Sequence, residues 1–305
     1  MSFGRLPFDS DTWYTDVRMF GEPEFGSVYL IDDEQVALVE TGTSNDVAAI
    51  LAALEEFGRA PAEVDAVIVS HVHLDHAGGA GFLIDAMPNA TVYVHERGHK
   101  HLLDPTRLLA SAADALQDMA EEFGTMRPCP PDRVVAVKDG DTLDLGSRVL
   151  TFHHSTGHAP HELTISDSRN QCIYTGDEAG LWFPRDNILM PVTPAPSFDL
   201  ARNLESFTKM LADEPRALLF SHFGPHDEPR KAIEAQMQNY ATWASLVRAR
   251  KKEKREERDI VEELYARHCR DPAFYSPEFL RRRIRNSVHG LLAYHQRLEH
   301  APAGS

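Results

Sequence analysis

The sequence predicts an α+β fold: a two-sheet sandwich flanked by helices and followed by a helical C-terminal segment. Three observations predict it. Short apolar runs alternate with helical periods between residues 27 and 220, and several of those runs lead straight into loops carrying histidine. From about residue 228 the pattern turns helical and rich in charge. The 305 residues are 42% hydrophobic and 26% charged, enough apolar material to bury a substantial core. Disordered, collagen-like and disulfide-stapled classes are excluded on that composition.

Ser27 to Ile31 and Gln35 to Glu40 flank the turn signal Asp32-Asp33-Glu34 and read as a β-hairpin. Val47, Ile50, Leu51, Leu54 and Phe57 then keep a helical period, with a Ser or Asn available as cap. Ala66 to Ser70 is a continuous apolar strand that can be covered on both faces, and it runs directly into His71. A helical stretch at Gly81 to Met87 and a strand at Thr91 to His95 follow. Residues 98–127 read as an inserted helical segment. Further strands are expected at Arg133 to Val137, Arg148 to His153, Glu162 to Ser166 and Gln171 to Thr175. Ser197 to Leu211 reads as a helix, and Ala217 to Phe220 as a last strand before Ser221-His222. Residues 228–269 read as one helix and Glu278 to Leu298 as another. A boundary near 235 would divide a main domain, 1–235, from a helical extension, 236–305.

The strongest chemical signal is His71-Val72-His73-Leu74-Asp75-His76. Three imidazoles and a carboxylate within six residues, on a loop leaving a strand, suit a borderline divalent metal. Strand alternation puts His71 and His73 on one side, and the following turn swings Asp75 and His76 toward a second point. Three more loops that follow strand-like runs carry polar candidates: Ser155-Thr156-Gly157-His158, Tyr174-Thr175-Gly176-Asp177 and Phe220-Ser221-His222.

These four segments, in this order, resemble the motifs of the metallo-β-lactamase superfamily over roughly residues 25–230. The resemblance implies an αββα sandwich of two mixed β-sheets, with 1–235 as the catalytic domain. It implies two divalent transition-metal ions, zinc first, with iron or manganese able to replace it. His71, His73 and His158 would hold one ion, Asp75, His76 and His222 the other, and Asp177 would bridge them. Glu40 stands where relatives commonly have aspartate, and would support the metal loop from behind.

A carboxylate at Asp177 resembles the glyoxalase II and lactonase branch. His73 occupies the place where oxygen-reducing di-iron relatives carry glutamate. Only 81 residues separate His76 from His158 and 44 separate Asp177 from His222, leaving little room for the large insertions of nucleic-acid-processing branches. The implied function is a dinuclear metal-dependent hydrolase attacking a small thioester, ester or lactone with a metal-bridging hydroxide. Asp75 would orient the nucleophile and carry a proton. A phosphodiesterase or a non-heme iron sulfur dioxygenase on the same fold are the alternatives. Leu181-Trp182-Phe183 and Ile188-Leu189-Met190 follow the bridging aspartate, so Trp182, Phe183 and Met190 are expected at the substrate mouth.

The net charge is −16, unevenly spread. From residue 245 onward 14 Lys and Arg face 9 Asp and Glu, a net of +5, while the remainder carries 17 against 38, a net of −21. An acidic body repels nucleic acid, so the expected partner is a small molecule. Arg248 to Asp259 and Arg281 to Arg285 keep open a reading of another class: a regulatory or interaction protein using its basic C-terminal helices. Interleaved Glu253, Glu256 and Glu257 fit a solvated helix or a homodimer contact better. Three scattered cysteines and the lack of any apolar span or signal-like start lead us to expect a cytoplasmic protein without a membrane anchor.

Overall fold

A computed structural model describes residues 3–116 and 120–300. The chain opens as an antiparallel meander of β1 (Gly4–Arg5), β2 (Thr12–Asp16), β3 (Ser27–Asp32) and β4 (Val36–Val39). Helix α1 (Val47–Phe57) then crosses over to β5 (Val64–Ile68), which lies parallel to β4. The short α2 (Leu74–Ala77) and α3 (Ala80–Ala86) lead to β6 (Thr91–His95). Helices α4 (Glu96–Leu103), α5 (Thr106–Leu116) and α6 (Ala120–Phe123) fill the segment before β7 (Val134–Val137). Part of that helical insertion, 117–119, lies outside the described residues. The seven strands form one mixed sheet in chain order, antiparallel to β4 and parallel from β4 to β7.

The second sheet collects β8 (Thr142–Asp144), β9 (Val149–His154), β10 (Leu163–Asp167) and β11 (Cys172–Tyr174). A separate hairpin of β12 (Leu181–Phe183) and β13 (Ile188–Met190) and the helix α7 (Leu200–Ala212) follow, before β14 (Ala217–Phe220) and β15 (Gly224–His226). The strand order is β15-β14-β11-β10-β9-β8, with β11 and β14 parallel.

Side-chain alternation decides which face each residue serves. Tyr29 and Ile31 of β3 and Ile68 of β5 meet Phe152, Ile165 and Leu219 of the other sheet, forming the core between the sheets. Their neighbours Val28, Leu30 and Val67 face outward into a second apolar cluster with Ile50, Leu54 and Leu83 of the helices. Ile173, Leu218 and Phe220 do the same with Phe207 and Tyr240 on the far side. The layers are therefore helix, sheet, sheet, helix, as the resemblance implies.

Several expectations shift. β1, β2, β8, β12, β13 and β15 are additional to the strands the sequence predicts, and all but β2 are runs of only two or three residues. The single helix expected over 228–269 is two, α8 (Pro229–Lys252) and α9 (Glu257–His268), with Lys254 in the left-handed region at φ 57° between them. No Pro or Gly marks that turn. The last helix, α10 (Pro277–His300), returns to the body of the fold. Position 235 falls inside α8. Trp243 and Val247 of α8, Leu264 of α9 and Leu280 and Ile284 of α10 join the same apolar cluster as α1 and α3. Among the described residues, no helix is long and apolar enough to cross a membrane.

Candidate metal centre

The candidate residues come from the ends of strands on both sheets. Beyond β5, Val69 and Ser70 lead to His71; His73, extended at φ −63° and ψ 154°, then caps α2, which carries Asp75 and His76. His158 follows β9, Asp177 follows β11, and His222 follows β14. Glycine is required at two of these loops. A Cβ on Gly157 would sit 2.3 Å from the Asn203 Cα, and one on Gly176, at φ +52°, would lie 2.0 Å from Glu162 Oε1.

Three imidazoles aim their nitrogens at one point. His73 Nδ1 lies 2.8 Å from His71 Nε2 and 3.1 Å from His158 Nε2. A second point is framed by His222 Nε2, 3.6 Å from Asp75 Oδ2, and His76 Nε2, 3.9 Å from the same oxygen. Asp177 lies between the two: Oδ1 is 3.5 Å from His76 Nε2 and 3.6 Å from His222 Nε2, and Oδ2 is 3.6 Å from His158 Nε2. Within each of the groups His71-His73-His158, His71-His76-Asp177 and Asp75-His76-His222, the ligand atoms lie within 4.8 Å of one another.

These separations exceed a good hydrogen bond at the second point, and the atoms are buried. Both ring nitrogens of His76, Asp177 Oδ1 and His222 Nδ1 have no hydrogen-bond partner. Leaving buried polar atoms unmet is costly, and a cation in the cluster would answer the two that face it, His76 Nε2 and Asp177 Oδ1. Burial pushes the His71 and His73 imidazoles below their ordinary value and His158 down to about 3, so they are neutral, the form that ligates metals. His76 goes the other way: burial opposes its charge, but Asp177, Glu40 and Asp75 outweigh it and raise the imidazole. The donor set of imidazole and carboxylate, with these orphaned atoms, fits a divalent metal site.

A ring of buried carboxylates surrounds it. Glu40, in the left-handed region at φ 75°, places Oε1 3.3 Å from His76 Nδ1 and accepts a hydrogen bond from Ser221 Oγ at 2.7 Å. Glu162 Oε2 lies 2.9 Å from His71 Nδ1, and its Oε1 accepts the Asp177 amide. Glu178 accepts the Gly157 and His158 amides. Sequence reasoning finds Glu40 but misses Glu162 and Glu178, which sit beside motif residues with nothing to mark them as turned inward.

A cavity of about 350 Å³ opens on the cluster, with His73, Asp75, His158, Asp177 and His222 in its wall. Phe25, Leu108, Phe123, Leu181 and Val192 supply its apolar side. Trp182, Phe183 and Met190 are expected at this mouth, and the structure places them elsewhere. Trp182 packs against His226 with ring centroids 4.6 Å apart, Phe183 stacks on Phe25 and meets Tyr275 edge to face, and Met190 is fully buried. Leu181, the first residue of the same strand as Trp182 and Phe183, lines the cavity instead. The hairpin also holds the metal loop, since the Phe223 amide donates to the Trp182 carbonyl at 3.0 Å. His161 lines the cavity, while His226 does not.

The family model for the metallo-beta-lactamase superfamily matches residues 21–222. The chain belongs to that superfamily. A metallo-beta-lactamase fold-containing protein of Sulfurisphaera tokodaii is 27% identical over 207 residues, covering 66% of this chain and 74% of its own. The crystal structure of an archaeal superfamily protein from Sulfolobus tokodaii superposes with a TM-score of 0.67 at 24% identity, covering 88% of this chain and 93% of that one. A coenzyme F420H(2) oxidase of Methanothermobacter marburgensis is 34% identical over 72% of this chain, which spans 54% of the oxidase. An acyl-coenzyme A thioesterase of Bos taurus is 26% identical over 36% of this chain and 39% of its own. Superfamily members are mostly metal-dependent hydrolases, and oxidoreductases occur among the relatives of this one.

Proposed function

We propose that this superfamily member is a dinuclear metal-dependent hydrolase acting on a small thioester, ester or lactone. The observation that carries the reading is Asp177, a buried carboxylate set within 3.6 Å of imidazoles from both histidine groups. On this reading His71, His73 and His158 hold one ion, Asp75, His76 and His222 the other, and Asp177 both. Zinc is the first candidate, with iron or manganese also suited to these donors. Two such ions, when bound, supply Lewis acidity and a water acidified toward neutrality.

The protein's own residues do the rest. Asp75, mostly buried in the cavity wall, accepts the nucleophile's proton at a carboxylate oxygen and returns it to the leaving group. Glu162 and Glu40 hold His71 and His76 in place from behind. The apolar side of the cavity takes the substrate body and keeps bulk water away. Likeness to an acyl-coenzyme A thioesterase supports a thioester, and glyoxalase II-like specificity is the finer form of the same reading. The helical segment after α7 completes the pocket on this reading, and its outer faces are available for a homodimer contact.

The F420H(2) oxidase likeness favours a second reading, redox chemistry with iron at the same ligands. The interaction-protein reading gains no support, because several of its basic residues are paired within the chain: Arg281 with Glu262, Arg282 with Glu122, Arg250 with Glu263 and Lys251 with Glu299. Elemental analysis of protein purified without chelator, with thioesters, lactones, phosphodiesters and oxygen uptake assayed on the same preparation, tests these readings together. About two ions per chain and acyl hydrolysis are expected. A metal-replete preparation holding none, or one that consumes oxygen and cleaves nothing, would overturn the hydrolase.

A further inference from the structure

Three arginines stand in a row at the start of α10, and they part ways. Arg281 and Arg282 turn outward to Glu262 and Glu122. Arg283 turns inward, is only 7% exposed, and lines the same cavity as Asp75 and His222. Its Nε and Nη2 are buried without a hydrogen-bond partner, and among the described residues no carboxylate lies within ion-pair distance.

What surrounds the guanidinium is aromatic. Its central carbon stands 4.8 Å from the Phe279 ring centre and 5.2 Å from each of the Phe20 and Phe25 ring centres. Phe25 in turn stacks on His222 with centroids 4.5 Å apart. Ring faces recover part of the cost of taking the cation out of water, but they cannot receive its N–H donors. Burial lowers this guanidinium to about 10, which leaves it charged at neutral pH. A buried, charged fork with open donors, facing a cavity, lacks a planar acceptor.

We propose that Arg283 is the anchor for a carboxylate carried by the substrate, placed one aromatic ring away from the histidine cluster. The inference rests on the hydrolase reading and narrows it to acyl compounds that combine an apolar body with one carboxylate. A guanidinium receives a carboxylate bidentately, in the plane of its own fork. Asn286, one helical turn further along α10, reaches the same cavity and supplies a neutral partner. Among the described residues Arg283 is the one Lys or Arg in the cavity wall, beside Asp75 and Asp177.

The test compares matched probes on metal-loaded protein. Calorimetric titration with phenylbutyrate and with phenylbutanol should show the carboxylate bound about 10- to 100-fold more tightly, the range of a hydrogen bond to a charged group. Arg283→Met should erase that preference and Arg283→Lys should keep part of it. In parallel, the nitrophenyl monoester of glutarate should be cleaved in preference to nitrophenyl pentanoate, and Arg283→Met should lower kcat/KM for the first about ten-fold more than for the second. A wild type without preference overturns the anchor. So does a preference that survives Arg283→Met, which would put the carboxylate on the metals. If neither ester is cleaved while phenylbutyrate still binds through Arg283, the hydrolase reading falls and the anchor stands.

Discussion

Glu162 Oε2 lies 2.9 Å from His71 Nδ1, and both side chains are fully buried. The same carboxylate accepts the Asp177 amide at 2.9 Å, so one side chain positions residues of two separate loops. Burial holds its carboxyl well above the usual range, with Asp177 and Glu178 pushing the same way.

Replacing it should therefore loosen the site without touching a proposed ligand. Glu162→Gln is expected to weaken metal affinity by about 10- to 100-fold. Competition with a chromogenic chelator reads this directly, and unchanged affinity would reduce Glu162 to a packing residue.

Asp75→Asn should keep much of the metal and lose most of the turnover. The amide still presents an oxygen to the second point, but it cannot take a proton. A loss of about 10² to 10⁴ in kcat is expected, measured at metal occupancy verified by elemental analysis. Wild-type turnover at full occupancy would leave Asp75 without a chemical part.

Chelation should lower the melting temperature. The loop after β5 belongs to one sheet, and those carrying His158, Asp177 and His222 to the other, so any ion held among them ties the sheets together. A ligand at a hundredfold excess over its Kd contributes about 2.7 kcal/mol. Scanning calorimetry with and without chelator should show separate transitions; coincident ones would sink the shared-ion geometry.

Acid stability should depend on a cluster far from the cavity. Arg148, fully buried, contacts Asp167 at 2.7 Å, Asp33 at 3.0 Å and Asp9 at 3.1 Å. Burial alone would raise Asp9 and Asp33, but hydrogen bonds, from Thr12 and Asn170 to Asp9 and from Ser147 to Asp33, with Arg148 donating to both, outweigh it. They hold Asp9 well below its ordinary range and Asp33 at about 2. Depressed carboxyls bind fewer protons folded than unfolded, so their stabilisation is complete above roughly pH 4 and is lost as pH falls through about 2. Arg148→Met strands three buried carboxylates and should cost about 3 to 5 kcal/mol in urea unfolding at neutral pH. It should also shift acid unfolding upward. A variant as stable as the wild type would contradict this account.

The parts legible in the sequence share one property: a polar residue stands at the end of an apolar run. His71, His158, Asp177 and His222 all follow apolar runs visible in the sequence, and the structure brings them together with His73, Asp75 and His76. Glu162 and Glu178 escape because an inward carboxylate beside a motif looks like any loop acid. Arg283 escapes for the opposite reason: within Arg281-Arg282-Arg283-Ile284-Arg285 it reads as part of a solvated stripe, and only the path of α10 turns it inward. Trp182, Phe183 and Met190 mislead because an apolar residue next to a site can serve the core as readily as the cavity. The turn that splits α8 from α9 is made without Pro or Gly, so local propensity does not show it.

Gly290 sits where α10 meets the backbone of residues 193–194, and a Cβ there would come 1.5 Å from the Thr193 carbonyl oxygen. Thr193 also donates its hydroxyl to the Ser287 carbonyl at 2.7 Å. This contact governs how such a chain can be divided or recombined. Grafting the last three helices onto another scaffold would require residue 290, the 191–197 stretch and Ser287 to travel as a matched set, because no side chain can be trimmed to mend a mismatch between two backbones. A cut at 276, though it falls between helices, would strip one wall from the cavity and uncover the carbonyls that α10 seals.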